Sequence, residues 1–138
     1  MRDKPSITLG LLIENLDSII AKNNIDKNRI YVTGISNGGI GTWDLICRYP
    51  SKFAAAMPLC GLGDSKQAKN IINVPVWVFH GARDNRIDVK YARIMVKALQ
   101  TAGGNPKYTE YPDLSHSIWD ETYNNMEVWK WLFSQKLK

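Results

Sequence analysis

Four short runs rich in β-branched, aromatic and other apolar residues recur along the chain, each separated from the next by sequence of helical periodicity. This alternation constrains the fold more than any other feature. Neighbouring strands that run parallel need a long crossover, and a helix between strands supplies it. The runs are Arg29-Ile30-Tyr31-Val32-Thr33, Phe53 to Leu59, Val74-Pro75-Val76-Trp77-Val78-Phe79 and Lys107 to Tyr111. Between them, helices are expected from Gly38 to about Tyr49, briefly from Ser65 to Asn70, and from Asp88 to Ala102, the last closed by Gly103-Gly104. A leading helix spans Ile7 to Asn23, with Leu11, Leu12, Leu16, Ile19 and Ile20 expected on one buried face, and a final one runs from about Trp119 to the end. The order α-β-α-β-α-β-α-β-α predicts one α/β domain over residues 1–138, a parallel sheet flanked by helices. In such sheets ligands bind beyond the carboxyl ends of the strands.

Composition narrows the classes. With 138 residues, 44% hydrophobic, the chain can bury a real core, and the composition argues against disorder. No apolar run approaches the ~20 residues of a membrane span. Met1-Arg2-Asp3-Lys4-Pro5 shows no basic start leading into an apolar stretch, so no export signal is expected in this chain. The compartment stays open, with a secreted or periplasmic longer parent as one reading. Eighteen basic against thirteen acidic side chains give a net charge of +5, but the positive residues are scattered beside acids, as in Arg83-Asp84. That argues against nucleic acid or a membrane surface as partner. Cys47 and Cys60 fit no zinc or redox spacing; buried free thiols are expected, and a single disulfide is left open.

The residues after the strands carry the chemistry. Gly34-Ile35-Ser36-Asn37-Gly38 follows the first strand and fits G-x-S-x-G. A serine on a tight strand-to-helix turn presents its hydroxyl above the sheet, and small residues two positions away let strand and helix approach. The Asn37 amide then lies at a helix N-terminus, where it can donate to a developing oxyanion. His80-Gly81-Ala82-Arg83-Asp84 follows the third strand; Asp84 is the better acid, because Asp88 opens a helix and reads as its cap. His116 lies in the loop after the fourth strand, while the other histidine, His80, abuts a strand end and reads as structural. Ser36, Asp84 and His116 come in the chain order of the α/β-hydrolase triad.

These stretches, together with Gly41-Thr42-Trp43, Pro58-Leu59-Cys60-Gly61-Leu62-Gly63-Asp64 and Tyr111-Pro112-Asp113-Leu114-Ser115-His116-Ser117-Ile118-Trp119, resemble the C-terminal part of an α/β-hydrolase. The resemblance is to feruloyl/acetylxylan esterase-like and polyhydroxybutyrate-depolymerase-like serine esterases. It implies Ser36 as nucleophile, His116 as general base and acid, Asp84 as its orienter, and no metal or cofactor. It implies an ester substrate, small or polysaccharide-linked. Trp119 reads equally as a wall of the acyl pocket or as packing; Trp43 reads as packing. Members of that family carry further strands before the helix that leads into the nucleophile strand, and those strands supply a second oxyanion donor. The present chain is therefore expected to be an α/β-hydrolase-like fold lacking its N-terminal strands. Its first strand should form an open edge, paired with another copy or a second chain. Two further readings stand beside the esterase: a serine peptidase of prolyl-oligopeptidase type, and an incomplete hydrolase inactive by itself. No propeller or peptide-selecting segment is present, which favours esters. No G-x-G-x-x-G follows a strand, so a dinucleotide-binding domain is not expected.

Overall fold

The computed structural model describes residues 6–137; the first five residues, where the absence of an export signal was read, lie outside it. Four strands, β1 (Tyr31–Ile35), β2 (Ala55–Leu59), β3 (Trp77–Gly81) and β4 (Lys107–Tyr111), form one sheet in that order, and every neighbouring pair is parallel. The helices are α1 (Ile7–Lys22), α2 (Asn37–Arg48), α3 (Lys90–Thr101), α4 (Trp119–Tyr123) and α5 (Met126–Ser134), and a 3-10 segment covers Ser65–Ile71. The expected α/β architecture is present.

Alternate residues of the strands feed two cores, as the two-residue period of a strand requires when both faces are covered. Ala56, Val76 and Val78 point to one face with Ile13, Trp43, Ile46, Met95 and Leu99 from the first three helices. Ala55, Met57, Leu59 and Phe79 point to the other, where Ile118, Val128 and Leu132 of the C-terminal part cover them. β2 is buried throughout, whereas β1 and β4 are half-buried edges. The expected open edge at β1 is thus present within this chain.

Two expectations need correction. The Ile7–Lys22 helix forms, but of its apolar residues only Ile13 is buried; Leu11, Leu12 and Ile19 face outward, while Leu9 and Leu16 pack against the core. A sheet that stops at β1 leaves that helix no second layer to lie against. The final helix is also two helices: Asn125 accepts the Glu127 amide and starts α5 afresh, so Asn124-Asn125 breaks the run. Elsewhere the C-terminus of α3 closes as expected, with Gly103 at φ 94° and the Gly104 amide donating to Leu99 O at 2.9 Å.

Candidate active site

Ser36 occupies the single-residue turn between β1 and α2 with φ 57° and ψ −116°, outside the regions an L-residue favours. Its amide donates to the Leu59 carbonyl at 2.9 Å, which ties the turn to the end of β2. Gly34 makes the turn sterically accessible, since a Cβ there would sit 2.4 Å from the Gly38 backbone. A Cβ at Gly38 itself meets nothing within 4 Å, so of the two motif glycines Gly34 carries the steric requirement. Asn37 is exposed as the first residue of α2, where a backbone amide has no carbonyl four residues back within the helix.

Asp84 and His116 come together across the ends of β3 and β4. His116 Nδ1 donates to Asp84 Oδ2 at 2.7 Å, with the two side chains 9% and 0% exposed. The other carboxylate oxygen, Oδ1, accepts the Arg86 amide at 2.8 Å and the Ile87 amide at 3.0 Å. Burial pushes the Asp84 carboxyl up, but the Ile87 and Arg86 amides and the His116 contact outweigh it and hold Asp84 below the usual aspartate range. The carboxylate is held charged where it faces the imidazole, which fixes the Nδ1–H tautomer and leaves Nε2 as the basic nitrogen. Asp88 does as expected: it accepts the Lys90 amide at 2.8 Å and opens α3.

Sequence reasoning missed three neighbours. His80 is fully buried, yet its Nε2 lies 2.8 Å from the Ile87 carbonyl and 3.2 Å from Asp84 Oδ2. Cys60, at φ 47°, directs its thiol to the His116 carbonyl at 3.4 Å, and burial raises that thiol to about 12. Gly81 lets the His116 loop approach β3, because a Cβ there would stand 1.9 Å from Ser115 O. Cys60 follows β2 directly, and His80 and Gly81 are the last two residues of β3, but none has a spacing that singles it out.

Leu59-Cys60 therefore touches both halves of the site, accepting from Ser36 and donating to the His116 loop. Cys60, His80 and Asp84 place metal-type donor atoms within 4.8 Å of one another, but Cys60 Sγ is turned to His116 O, His80 Nε2 to Ile87 O and Asp84 Oδ2 to His116 Nδ1. Cys47 and Cys60 are both free and buried, as the spacing suggested. Trp119 is half-buried at the start of α4 against the second core, and Trp43 is buried in the first. A cavity of about 730 Å³ opens at the other end of the sheet, lined by Phe53, Pro75, Lys107 and Trp131.

The model of the phospholipase/carboxylesterase family matches residues 7–130. The chain belongs to that family. Its fold is that of a family α/β-hydrolase: a crystallographic thermostable esterase, 39% identical, superposes with a TM-score of 0.91 over 99% of this chain and 39% of its own length. A "Probable carboxylesterase SOBER1-like" of Arabidopsis thaliana is 25% identical over 135 aligned residues, 91% of this chain and 52% of that protein. A bifunctional acetylxylan esterase/xylanase of Neocallimastix patriciarum is 28% identical over 82 residues, 59% of this chain and 12% of that protein. The present family member thus spans about half, or less, of the length of these relatives.

Proposed function

We propose that this chain carries the catalytic triad of a serine carboxylester hydrolase, with Ser36 as nucleophile, His116 as base and acid, and Asp84 as the group that orients His116. The observation that supports this best is the buried 2.7 Å Asp84–His116 pair, joined through Leu59-Cys60 to a serine held at φ 57°. His116 Nε2 takes the Ser36 hydroxyl proton as Oγ attacks the ester carbonyl. The Asn37 amide receives the carbonyl oxygen as it becomes negative. Collapse of the tetrahedral adduct breaks the bond to the alkoxy oxygen, which leaves as alcohol with the proton from His116. Water then enters, His116 takes its proton, and the acyl group departs as carboxylic acid with Ser36 restored. These steps call for no metal or cofactor.

The substrates proposed are short esters of acetyl or feruloyl type, free or on a polysaccharide; the likeness to the acetylxylan esterase/xylanase supports the acetyl class. Trp119 is assigned to the rim of the acyl pocket, since it follows His116 at the mouth of α4. The open edge of β1 and the outward apolar face of α1 are assigned to pairing, in a sample of this chain alone with a second copy. A donor from beyond that edge would complete the oxyanion hole, and one donor is worth about 10²–10³ in rate. The testing experiment is turnover of p-nitrophenyl acetate and longer esters by the chain beside Ser36→Ala. Ser36-dependent release of p-nitrophenol supports the reading; hydrolysis of p-nitroanilide peptides with no ester turnover would replace it with a peptidase.

A further inference from the structure

His80 is fully enclosed, and its two ring nitrogens are in unequal circumstances. Nε2 bonds the Ile87 carbonyl at 2.8 Å and lies 3.2 Å from Asp84 Oδ2. Nδ1 is buried with no hydrogen-bond partner. A hydrogen on Nδ1 would be a buried donor with nothing to receive it, so the network places the single ring hydrogen on Nε2. The bare Nδ1 is a desolvation cost that an apolar side chain of similar size would avoid, so it is the Nε2 contacts that justify a histidine here.

We propose that His80 is a positioning residue for the Asp84–His116 pair: its Nε2–H, donated to the Ile87 carbonyl, fixes the 84–87 turn whose amides hold the Asp84 carboxylate. The inference rests on the triad reading above. The geometry closes a small loop. Asp84 Oδ1 holds the amides of Arg86 and Ile87, and His80 holds the carbonyl of the same Ile87. The carboxylate and the 84–87 turn are thereby fixed to β3, which carries His80 itself. Oδ2 is left to bond His116 Nδ1 at 2.7 Å, while His80 Nε2, bonded to Ile87 O, lies 3.2 Å from it. The other ionisable groups around His80 are the Cys60 thiol and Glu110, its register partner on β4, which is ion-paired with Arg93.

The first measurement is made on the unaltered chain: the ¹⁵N long-range correlation spectrum of the histidine rings at pH 8. The proposal requires the Nε2–H form for His80; the Nδ1–H form overturns it. The second compares His80→Leu and His80→Gln with the parent chain and Ser36→Ala on p-nitrophenyl acetate. His80→Leu, without a donor, is expected to lose about 10–100-fold in kcat with KM within about twofold, because it misplaces the base rather than the substrate. The acid limb of its kcat/KM profile moves to lower pH, since a misplaced Asp84 carboxylate stabilises the imidazolium of His116 less. His80→Gln retains an N–H donor and recovers at least about tenfold. A folded His80→Leu with the parent's kcat and acid limb, or a folded His80→Gln as impaired as the leucine variant, overturns the proposal. A parent with neither Ser36-dependent turnover nor a fluorophosphonate adduct on Ser36 refutes the triad reading instead, and the tautomer measurement then decides the role of His80 by itself.

Discussion

Gly81→Ala isolates the contact that seats the His116 loop against the end of β3, beside Asp84. A Cβ at Gly81 would lie 1.9 Å from Ser115 O and 2.6 Å from Leu114 O, both backbone atoms of the loop carrying His116. Ordinary contact begins at 3.4 Å, so the loop must retreat by roughly 1.5 Å or β3 must distort. The loop cannot retreat freely, because the Ala82 amide is bonded to Tyr111 O at 2.8 Å and the Arg83 amide to Leu114 O at 3.0 Å. Forced overpacking of this kind costs about 1–3 kcal/mol, or a Tm lower by about 4–12 °C for a domain of this size. A displacement of about 1 Å also breaks the 2.7 Å His116–Asp84 geometry, which is expected to cost about 10²-fold in kcat/KM. The assay is thermal unfolding by circular dichroism, with p-nitrophenyl acetate turnover on the same samples. Gly38→Ala is the internal control, since its Cβ meets nothing within 4 Å and it removes a helical glycine; its Tm should hold or rise. A Gly81→Ala protein with parental Tm and turnover would refute the packing argument.

Three other outcomes follow from the same structure. Asp84 titrates below its unfolded value, so the stability it contributes is complete above the unfolded aspartate range and is lost as pH falls through the lower, folded value. Urea midpoints measured from pH 6 to pH 2 should fall more steeply in the parent than in Asp84→Asn, and parallel curves would contradict this. Sedimentation velocity at micromolar concentration should show self-association through β1 and α1; a stable monomer would contradict it, and Leu11→Glu with Leu12→Glu should reduce it. Trp119→Ala should raise KM for aromatic acyl esters several-fold with kcat little changed, whereas a lowered Tm with unaltered KM would assign Trp119 to packing alone.

The parts legible in the sequence are those set by local chemistry. Tyr31-Val32 and Trp77-Val78-Phe79 read as strands because they are rich in β-branched and aromatic residues, and in the fold their alternate residues enter different cores. Ser36, Asp84 and His116 stood out because each is a reactive type at the end of a strand. What was not legible depends on which atoms meet in space. His80 read as structural, and it is buried, but only the fold shows that its Nε2 turns to the Ile87 carbonyl, 3.2 Å from Asp84. The apolar side of α1 promised a buried face; whether Leu11 and Leu12 are covered depends on what lies beyond β1, which periodicity does not record. The break between α4 and α5 rests on the Asn125 cap, a signal present in the sequence but outweighed by the apolar pattern on either side.

The central claim is that Ser36 is an activated nucleophile served by His116. It is tested most directly by treating the folded chain with a fluorophosphonate and locating the adduct by intact and peptide mass spectrometry. This reads the nucleophile without requiring full turnover. The account predicts one adduct per chain, on Ser36, absent in Ser36→Ala and formed at least about a hundredfold more slowly in His116→Ala. A folded chain that takes up no label, or takes it up elsewhere, would contradict it.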